Sequence, residues 1–311
     1  MDARDVRIFC EMAFKGLDYD SFTDRRVSPL AIGRKLGLDE KTVRVRVRKM
    51  EDDGFIKYYQ AIPSLALFGL KSLNSYKLEA VNIATKQRVV KNIQQVPYIV
   101  EAIDYLGPVI TVSIAGASSR DIEQVVGRIV NQFELNKTSL GGRIVREQLS
   151  QPDKLDWQII QKLRYDALCS TKDVAQALSI TPRMVEYRIT RLLDSGGLLI
   201  RAIINTQKQE GLLFYELDMS VEEAKQFVVV KALSEGYGEK LWSIRTSEGG
   251  VLLANFFGFT LGEPEDTTVN ALELEGVRSC SLLIFKEIIE PQRPNWIDSL
   301  IEQKISSLKS S

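Results

Sequence analysis

Histidine is absent from the 311-residue chain, and its absence excludes several kinds of site. Without imidazole there can be no Ser-His-Asp or Cys-His nucleophile system, no histidine metal site and no histidine switch near neutral pH. The three cysteines, Cys10, Cys169 and Cys280, are far apart and have no C-x-x-C spacing. This spacing favours reduced side chains over a disulfide or metal framework. We therefore expect neither a metal site nor a cofactor.

Long apolar runs are also absent. No stretch approaches the roughly 18 apolar residues that span a bilayer, and residues 1–7 are too polar for a signal peptide. We therefore expect a cytoplasmic protein without a membrane partner.

Net charge is zero, because 41 basic residues balance 41 acidic ones, but the two signs are unevenly distributed. Residues 1–208 contain 32 basic and 24 acidic residues, a net charge of +8. Residues 209–290 contain 6 basic and 15 acidic residues, a net charge of −9. This asymmetry favours a polyanionic partner for the basic part of the chain.

An internal repeat appears when the chain is aligned with itself at an offset of 142 residues. Residues 28–56 then match residues 170–198 without a gap, and apolar residues match at helical spacing. Six of these 29 positions are identical: Ser28 and Ser170, Leu36 and Leu178, Val43 and Val185, Arg46 and Arg188, Asp52 and Asp194, Gly54 and Gly196. The chain is therefore predicted to be one two-part unit written twice.

The first part of each unit is a small helical domain. In the second copy, apolar residues recur at helical spacing over residues 155–163 and 171–178. Thr181 followed by Pro182 is a typical start for a third helix. The extended residues 198–205 follow it. Three helices, a tight turn and a strand predict a winged helix-turn-helix.

The first copy contains a conflicting pattern. Residues 43–48 alternate valine and arginine, which by itself predicts a strand. Their ungapped match to residues 185–190, which do not alternate, favours a helix instead. We predict a helix over residues 41–52 capped by Asp39, followed by a wing at residues 55–62.

A helix-turn-helix of this kind docks a helix in the major groove, with cationic side chains on the phosphates. Double-stranded DNA is therefore the predicted partner, although a basic helix face can also be a solvated surface. For Arg46 and Arg188, a salt bridge that holds the helix is an equal alternative. The predicted DNA contacts are Lys41, Arg44, Arg46, Arg48, Lys49, Lys57, Arg183, Tyr187, Arg188 and Arg191.

The two copies differ in the chemistry of the third helix. Glu186 and Thr190 replace Arg44 and Arg48 at the matched positions. We expect the second copy to bind phosphate less well, or to recognise a different half-site.

After each wing, the patterns predict strands and helices in the order βαββαβ, typical of a ferredoxin-like α+β fold with both helices on one face of an antiparallel sheet. The open face of such a sheet commonly pairs with another. Beyond it, apolar residues at helical spacing predict a C-terminal helix that docks on the chain itself or on a partner. The predicted domains are two winged helices at 1–63 and 151–207, two ferredoxin-like domains at 64–150 and 208–290, and the helix at 291–311.

The helix-turn-helix residues resemble those of the Lrp/AsnC (feast/famine) transcriptional regulators. The resemblance rests on Leu155-Asp156-x-x-Ile159-Ile160, Ser170-x-x-x-Val174-Ala175-x-x-Leu178, Ile180-Thr181, Tyr187-Arg188-Ile189-x-Arg191-Leu192 and Gly196. It implies a DNA-binding regulator that is not an enzyme. Family members dimerise through their sheets, so two units in one chain imply an intramolecular pseudo-dimer, with a homodimer of the chain as a further state.

The resemblance also implies a small-molecule effector near the turn between the second and third strands. The turns at residues 104–108 and 247–250 do not reproduce the family pattern and are equally explained as hairpins that need glycine. Two alternative functions stay open. Sirohaem decarboxylases have a similar architecture, but histidine is expected at such sites and this chain has none. A protein-interaction module that uses the acidic domain is the other alternative.

Overall fold

The computed structural model describes residues 1–13, 28–145, 151–205, 208 and 211–308. The chain divides into two compact units. The first, called the α/β unit below, comprises residues 72–144 and 209–292. The second, called the winged-helix unit, comprises residues 2–71, 145–208 and 293–311. No helix within the described ranges is long and apolar enough to cross a membrane.

The winged-helix unit contains two copies of a three-helix domain and its wing strand. The first copy consists of α1 (Ala3–Ala13), α2 (Pro29–Leu36), α3 (Glu40–Asp52) and β1 (Ile56–Pro63). The second consists of α6 (Lys154–Leu163), α7 (Thr171–Leu178), α8 (Pro182–Asp194) and β6 (Leu198–Ile204). Both winged helices predicted from the sequence are confirmed.

Local capping explains where the third helices begin. The Asp39 side chain accepts a hydrogen bond from the backbone N–H of Thr42 at 2.8 Å, which fixes the start of α3. Thr181 caps α8 in the same way through the N–H of Met184, and Pro182 occupies the first helical position. The valine–arginine segment forms a helix because Val43 and Met50, seven positions apart, lie on the same buried face of α3.

The wings pair with each other. β1 and β6 form a two-stranded antiparallel sheet in which Tyr59 lies opposite Ala202 and Gln60 opposite Arg201. In the sequence repeat, Tyr59 is matched by Arg201 and Gln60 by Ala202, each 142 positions later. Replacing each residue by its match therefore turns one pair into the other. The pairing is therefore two-fold symmetric about the centre of the sheet, in register with the repeat seen in the sequence.

The C-terminal helix α11 (Trp296–Ser307) packs on the second winged helix. Its Ile297 and Ile301 are buried. Arg164, which is 4% exposed, donates hydrogen bonds to the carbonyl oxygen of Ala61 at 2.7 Å and to Asp298 at 3.0 Å. The helix thus docks on the chain itself, and a buried cation ties it to both copies.

The α/β unit consists of two βαββαβ halves, which confirms the predicted fold class. The first half contains β2 (Ser72–Glu79), α4 (Ile83–Ile93), β3 (Ile99–Tyr105), β4 (Val109–Gly116), α5 (Ser119–Phe133) and β5 (Asn136–Ile144). The second contains β7 (Leu213–Val221), α9 (Gln226–Tyr237), β8 (Leu241–Thr246), β9 (Val251–Gly258), α10 (Gly262–Leu272) and β10 (Val277–Ile288).

The two halves form one eight-stranded antiparallel sheet of order β5-β2-β4-β3-β10-β7-β9-β8. The halves join where Tyr105 of β3 pairs with Phe285 of β10. In each half, alternate residues of the strands form an apolar core with the two helices.

The sheet curves back on itself. Lys77 of β2 forms an ion pair with Asp218 of β7, four strands away in the sheet order. At its two ends, a Cβ atom on Gly141 would lie 2.3 Å from the Cβ of Ser247, so the edges approach each other. The face opposite the helices therefore becomes an interior, and it contains polar as well as aromatic side chains.

Candidate nucleic-acid interface

The outer face of α3 carries four of the predicted DNA contacts. Because Val43 and Met50 anchor the inner face, the side chains of Lys41, Arg44, Arg48 and Lys49 are exposed. Val45 lies among them and is 62% exposed. An apolar side chain at the centre of a basic face is suited to contact a thymine methyl group.

The cations of this face are accessible. Arg44 forms an exposed ion pair with Glu40, one helical turn earlier, at 2.9 Å from its Nε atom. In the part of the chain that the structure describes, Lys41, Arg48 and Lys49 form no ion pair. A polyanion would therefore meet at least three cations without displacing an intramolecular carboxylate.

Arg46 and Arg188, at matched positions, lie in ion pairs. Arg46 Nη1 donates to Asp5 at 2.7 Å and to Asp2 at 2.9 Å. Arg188 Nη1 donates to Asp153 at 2.7 Å and to Asp156 at 2.8 Å. This geometry supports the salt-bridge alternative for both arginines, because each guanidinium fastens the third helix to the first.

The aspartates that pair with these arginines were not predicted from the sequence. In each pair, Asp2 with Asp5 and Asp153 with Asp156, each aspartate accepts a hydrogen bond from the backbone N–H of the other. Burial opposes ionisation of Asp153, but Arg188 and the backbone of Asp156 hold its pKa below the ordinary value. The D-x-x-D spacing at the start of each first helix was the pattern that could have revealed them.

The outer face of α8 has a different composition. Arg183 and Glu186 are exposed, and Tyr187 and Met184 are 65% and 41% exposed. Arg191 forms an ion pair with the buried Asp156, although its side chain is 40% exposed. The outer face of α8 therefore presents one cation that forms no ion pair among the described residues, one carboxylate and a larger apolar surface.

The first wing exposes its one predicted DNA contact. Lys57 is exposed, but Tyr58 beside it is only partly so. The Arg293 guanidinium lies 4.0 Å from the Tyr58 ring centroid and 4.4 Å from that of Tyr165. Because β1 also pairs with β6, the first wing is occupied by intramolecular contacts.

The interior of the α/β unit contains a second cluster of titratable groups. Tyr105 donates to Glu216 at 3.2 Å, and Arg245 approaches the other oxygen of Glu216 at 3.6 Å. Glu216 is 1% exposed, and this burial raises the pKa of its carboxyl, although Arg245 opposes the shift. Burial and the Glu216 charge also raise the pKa of Tyr105. Both shifts favour the protonated forms of these groups.

The hairpin at residues 104–108, predicted as one effector site, forms ion pairs with lysines of the same chain. Asp104 forms ion pairs with Lys86 at 2.5 Å and with Lys286 at 2.8 Å. Lys86 also donates to the carbonyl oxygens of Tyr105 and Gly107. Gly107 has a φ of 81°, as the hairpin alternative requires. The charge of Asp104 in this turn is thus neutralised by two lysines of the same chain.

The fold and these surfaces define a protein with two winged helices and two ferredoxin-like halves. The model of the winged helix-turn-helix DNA-binding family matches the chain twice, at residues 23–57 and 152–196. These matches cover both predicted recognition helices. No curated protein matches the sequence of the chain.

Solved structures match the fold over the whole chain. The siroheme decarboxylase NirDL is 14% identical with a TM-score of 0.55, covering 98% of this chain and 99% of NirDL. NirDL in complex with an iron-uroporphyrin III analogue is 13% identical with a TM-score of 0.54, at the same coverage. AsnC of E. coli is 15% identical with a TM-score of 0.36, covering 44% of this chain and 94% of AsnC.

The prediction that the chain is not an enzyme is contradicted by this comparison, because the solved structure that matches the fold over 98% of the chain is that of an enzyme, at 14% identity. The missing histidines exclude only imidazole chemistry, and Tyr105 and Glu216 are titratable groups of another kind.

Proposed function

We propose that the chain binds double-stranded DNA through its recognition helices, α3 and α8, and acts as a transcriptional regulator. The observation that carries this proposal is the outer face of α3, where Lys41, Arg48 and Lys49 are exposed and form no ion pair among the described residues. In the proposed complex, Lys41, Arg44, Arg48, Lys49, Arg183 and Tyr187 contact the DNA. Arg46, Arg188 and Arg191 act through their aspartates, by positioning the helices.

The attraction between this surface and DNA is electrostatic. A 13-residue helix fits the major groove, and its cations replace counterions condensed on the phosphates. Lys57, on the wing strand β1, extends this positive surface. Affinity should therefore fall steeply with salt concentration.

The test measures binding to a pool of random duplexes over a series of salt concentrations. Lys41→Ala and Arg48→Ala should each reduce the slope of log K against log salt by about 0.9, as expected for one lost phosphate contact. Lys91→Ala, an equal charge change at an exposed position on α4, is the matched control and should leave the slope unchanged. Equal slopes for all three variants, or no duplex binding at low salt, would reject the proposal.

A second candidate function is chemistry on an iron tetrapyrrole substrate, favoured by the full-length fold match to siroheme decarboxylase. Without histidine, iron ligation and proton transfer by imidazole are excluded. Tyr105 and Glu216 would supply the proton-exchanging groups, and Lys77 and Arg245 the cations for substrate carboxylates. Both cations already face carboxylates, Asp218 and Glu216, so substrate would have to compete with these pairs.

The test for this candidate adds iron-uroporphyrin to the protein and follows its Soret band and the release of carbon dioxide. A shifted band, together with carbon dioxide release that is lost in Glu216→Gln, would support it. An unchanged spectrum at saturating protein would reject it.

A further inference from the structure

We infer that the two recognition helices recognise different half-sites, so that the preferred DNA element is not a palindrome and one chain binds it in a single orientation. The inference rests on the proposed DNA-binding function and concerns the specificity of the same surface. It follows from a symmetric framework that presents asymmetric side chains.

The framework is two-fold symmetric in the length and capping of the helices, in one arginine contact and in the wing register. α3 and α8 contain 13 residues each, and Asp39 and Thr181 cap them in the same way. Arg46 and Arg188 fasten them to the first helices through matched aspartates. The β1–β6 register relates the two copies by the same offset of 142 residues as the sequence repeat. Two equivalent scaffolds therefore present the helices to DNA.

The exposed side chains do not share this symmetry. Lys41 and Arg183 keep a cation at the first matched position, but Arg44 is matched by Glu186. Both members of this second pair are exposed. The difference is therefore one of chemistry at the surface, not of burial.

Opposite charges at one position favour different bases. An arginine donates to the O6 and N7 acceptors of guanine, whereas a glutamate accepts from the N4 amine of cytosine. In a palindrome both helices would meet the same base edges, so Glu186 would face acceptors wherever Arg44 faces them. A carboxylate against acceptors is unfavourable, and the two half-sites must therefore differ.

The exposed apolar side chains of α3 and α8 also differ. At the centre of the face, Tyr187 at 65% exposure replaces Val45 at 62%, and Met184 beside it is 41% exposed. The second helix thus presents more apolar surface, suited to thymine methyl groups. We expect a first half-site with guanine opposite Arg44 and a second with cytosine opposite Glu186 and thymine beside it.

The test selects duplexes from a random pool with the full chain at fixed salt, and examines the enriched element for a dyad. Wild-type protein should enrich an element whose halves differ. Glu186→Arg should make the second half resemble the first, and should raise affinity for a palindrome of two first half-sites at least tenfold.

The matched control is Glu235→Arg, which makes the same charge change at an exposed position on α9. It should leave both the element and the relative affinity for the palindrome unchanged. A palindromic element for the wild type, or an element that Glu186→Arg does not alter, would overturn the inference while leaving DNA binding intact. Failure of the wild type to bind any duplex would overturn the proposed function and this inference together.

Discussion

Arg46 and Arg48 are two positions apart on α3, yet they face different surroundings. Arg46 points toward α1, where it meets the buried Asp5, and Arg48 points to solvent. Both arginines belong to the same valine–arginine alternation, so composition alone gives them equal chances of contacting DNA. The partner that separates them lies 41 residues earlier in the chain.

Alanine substitutions should separate these roles. Arg46→Ala leaves Asp5 with an uncompensated charge, and should lower the free energy of unfolding by about 1–3 kcal/mol. Arg48→Ala removes no intramolecular partner among the described residues, and should change it by less than about 0.5 kcal/mol. Urea denaturation of the two variants measures the difference. Similar losses for both would contradict the division.

Glu216 should make stability depend on pH. Its pKa is raised above the ordinary 4.5, mainly by burial. The neutral form is therefore the one that the fold prefers, and stability falls as the pH rises through the folded-state pKa. Glu216→Gln removes this ionisation, so the variant should gain thermal stability relative to wild type as the pH rises from about 5 to about 9.

The comparison is a melting temperature measured across that pH range. The control is Glu235→Gln, at an exposed carboxyl on α9, whose curve should parallel that of the wild type. Parallel curves for Glu216→Gln as well would show that ionisation of Glu216 does not limit stability.

The helix α11 lies outside the sequence repeat, and an ion pair attaches its first turn to the second winged helix. Asp298 accepts from Arg164 at 3.0 Å and from the Tyr165 hydroxyl at 2.5 Å. Asn295, the cap of α11, uses the same carboxylate. One side chain therefore links the helix start to the buried Arg164.

Asp298→Ala should destabilise the winged-helix unit strongly. It leaves the Arg164 guanidinium buried without its carboxylate, which typically costs about 3–5 kcal/mol, and the partial exposure of Asp298 lowers the expectation to about 2–4 kcal/mol. Chemical denaturation followed by tryptophan fluorescence would measure the loss. Glu302→Ala, at an exposed position on the same helix, should change stability little. A loss of equal size in both variants would assign the effect to the helix and not to the ion pair.

Elements whose causes are local were predictable from the sequence. Asp39, Thr181 and Pro182 fix the starts of α3 and α8, and the βαββαβ order follows from strand and helix periodicity. The contact between Lys77 and Asp218 was not predictable, because it depends on the curvature of the whole sheet. Nor was the attachment of Arg164, whose partner lies 134 residues away and outside the repeat.

At the scale of the whole molecule, fold and site chemistry point in different directions. The fold is shared with siroheme decarboxylase over 98% of the chain, whereas the exposed cations of α3 favour DNA. The missing histidines restrict only imidazole chemistry. Tyr105 and Glu216 occupy an interior that no local pattern indicated, because it forms only where the two halves of the sheet meet.

The shared wing sheet makes the two copies of the winged-helix unit one cooperative structure. Within the described ranges, β1 and β6 pair only with each other, although residues 56–63 and 198–204 are far apart in sequence. Neither strand can keep its hydrogen bonds when the other leaves, so both should open with the same free energy.

Native-state hydrogen exchange should therefore give matched protection for the paired amides of both strands. Ala61→Pro, which introduces proline into this two-stranded sheet, should lower the protection of both strands equally. Val251→Pro, which introduces proline into β9 of the α/β unit, is the comparison and should leave wing protection unchanged. Unequal protection of β1 and β6 would mean that one copy unfolds while the other retains its wing.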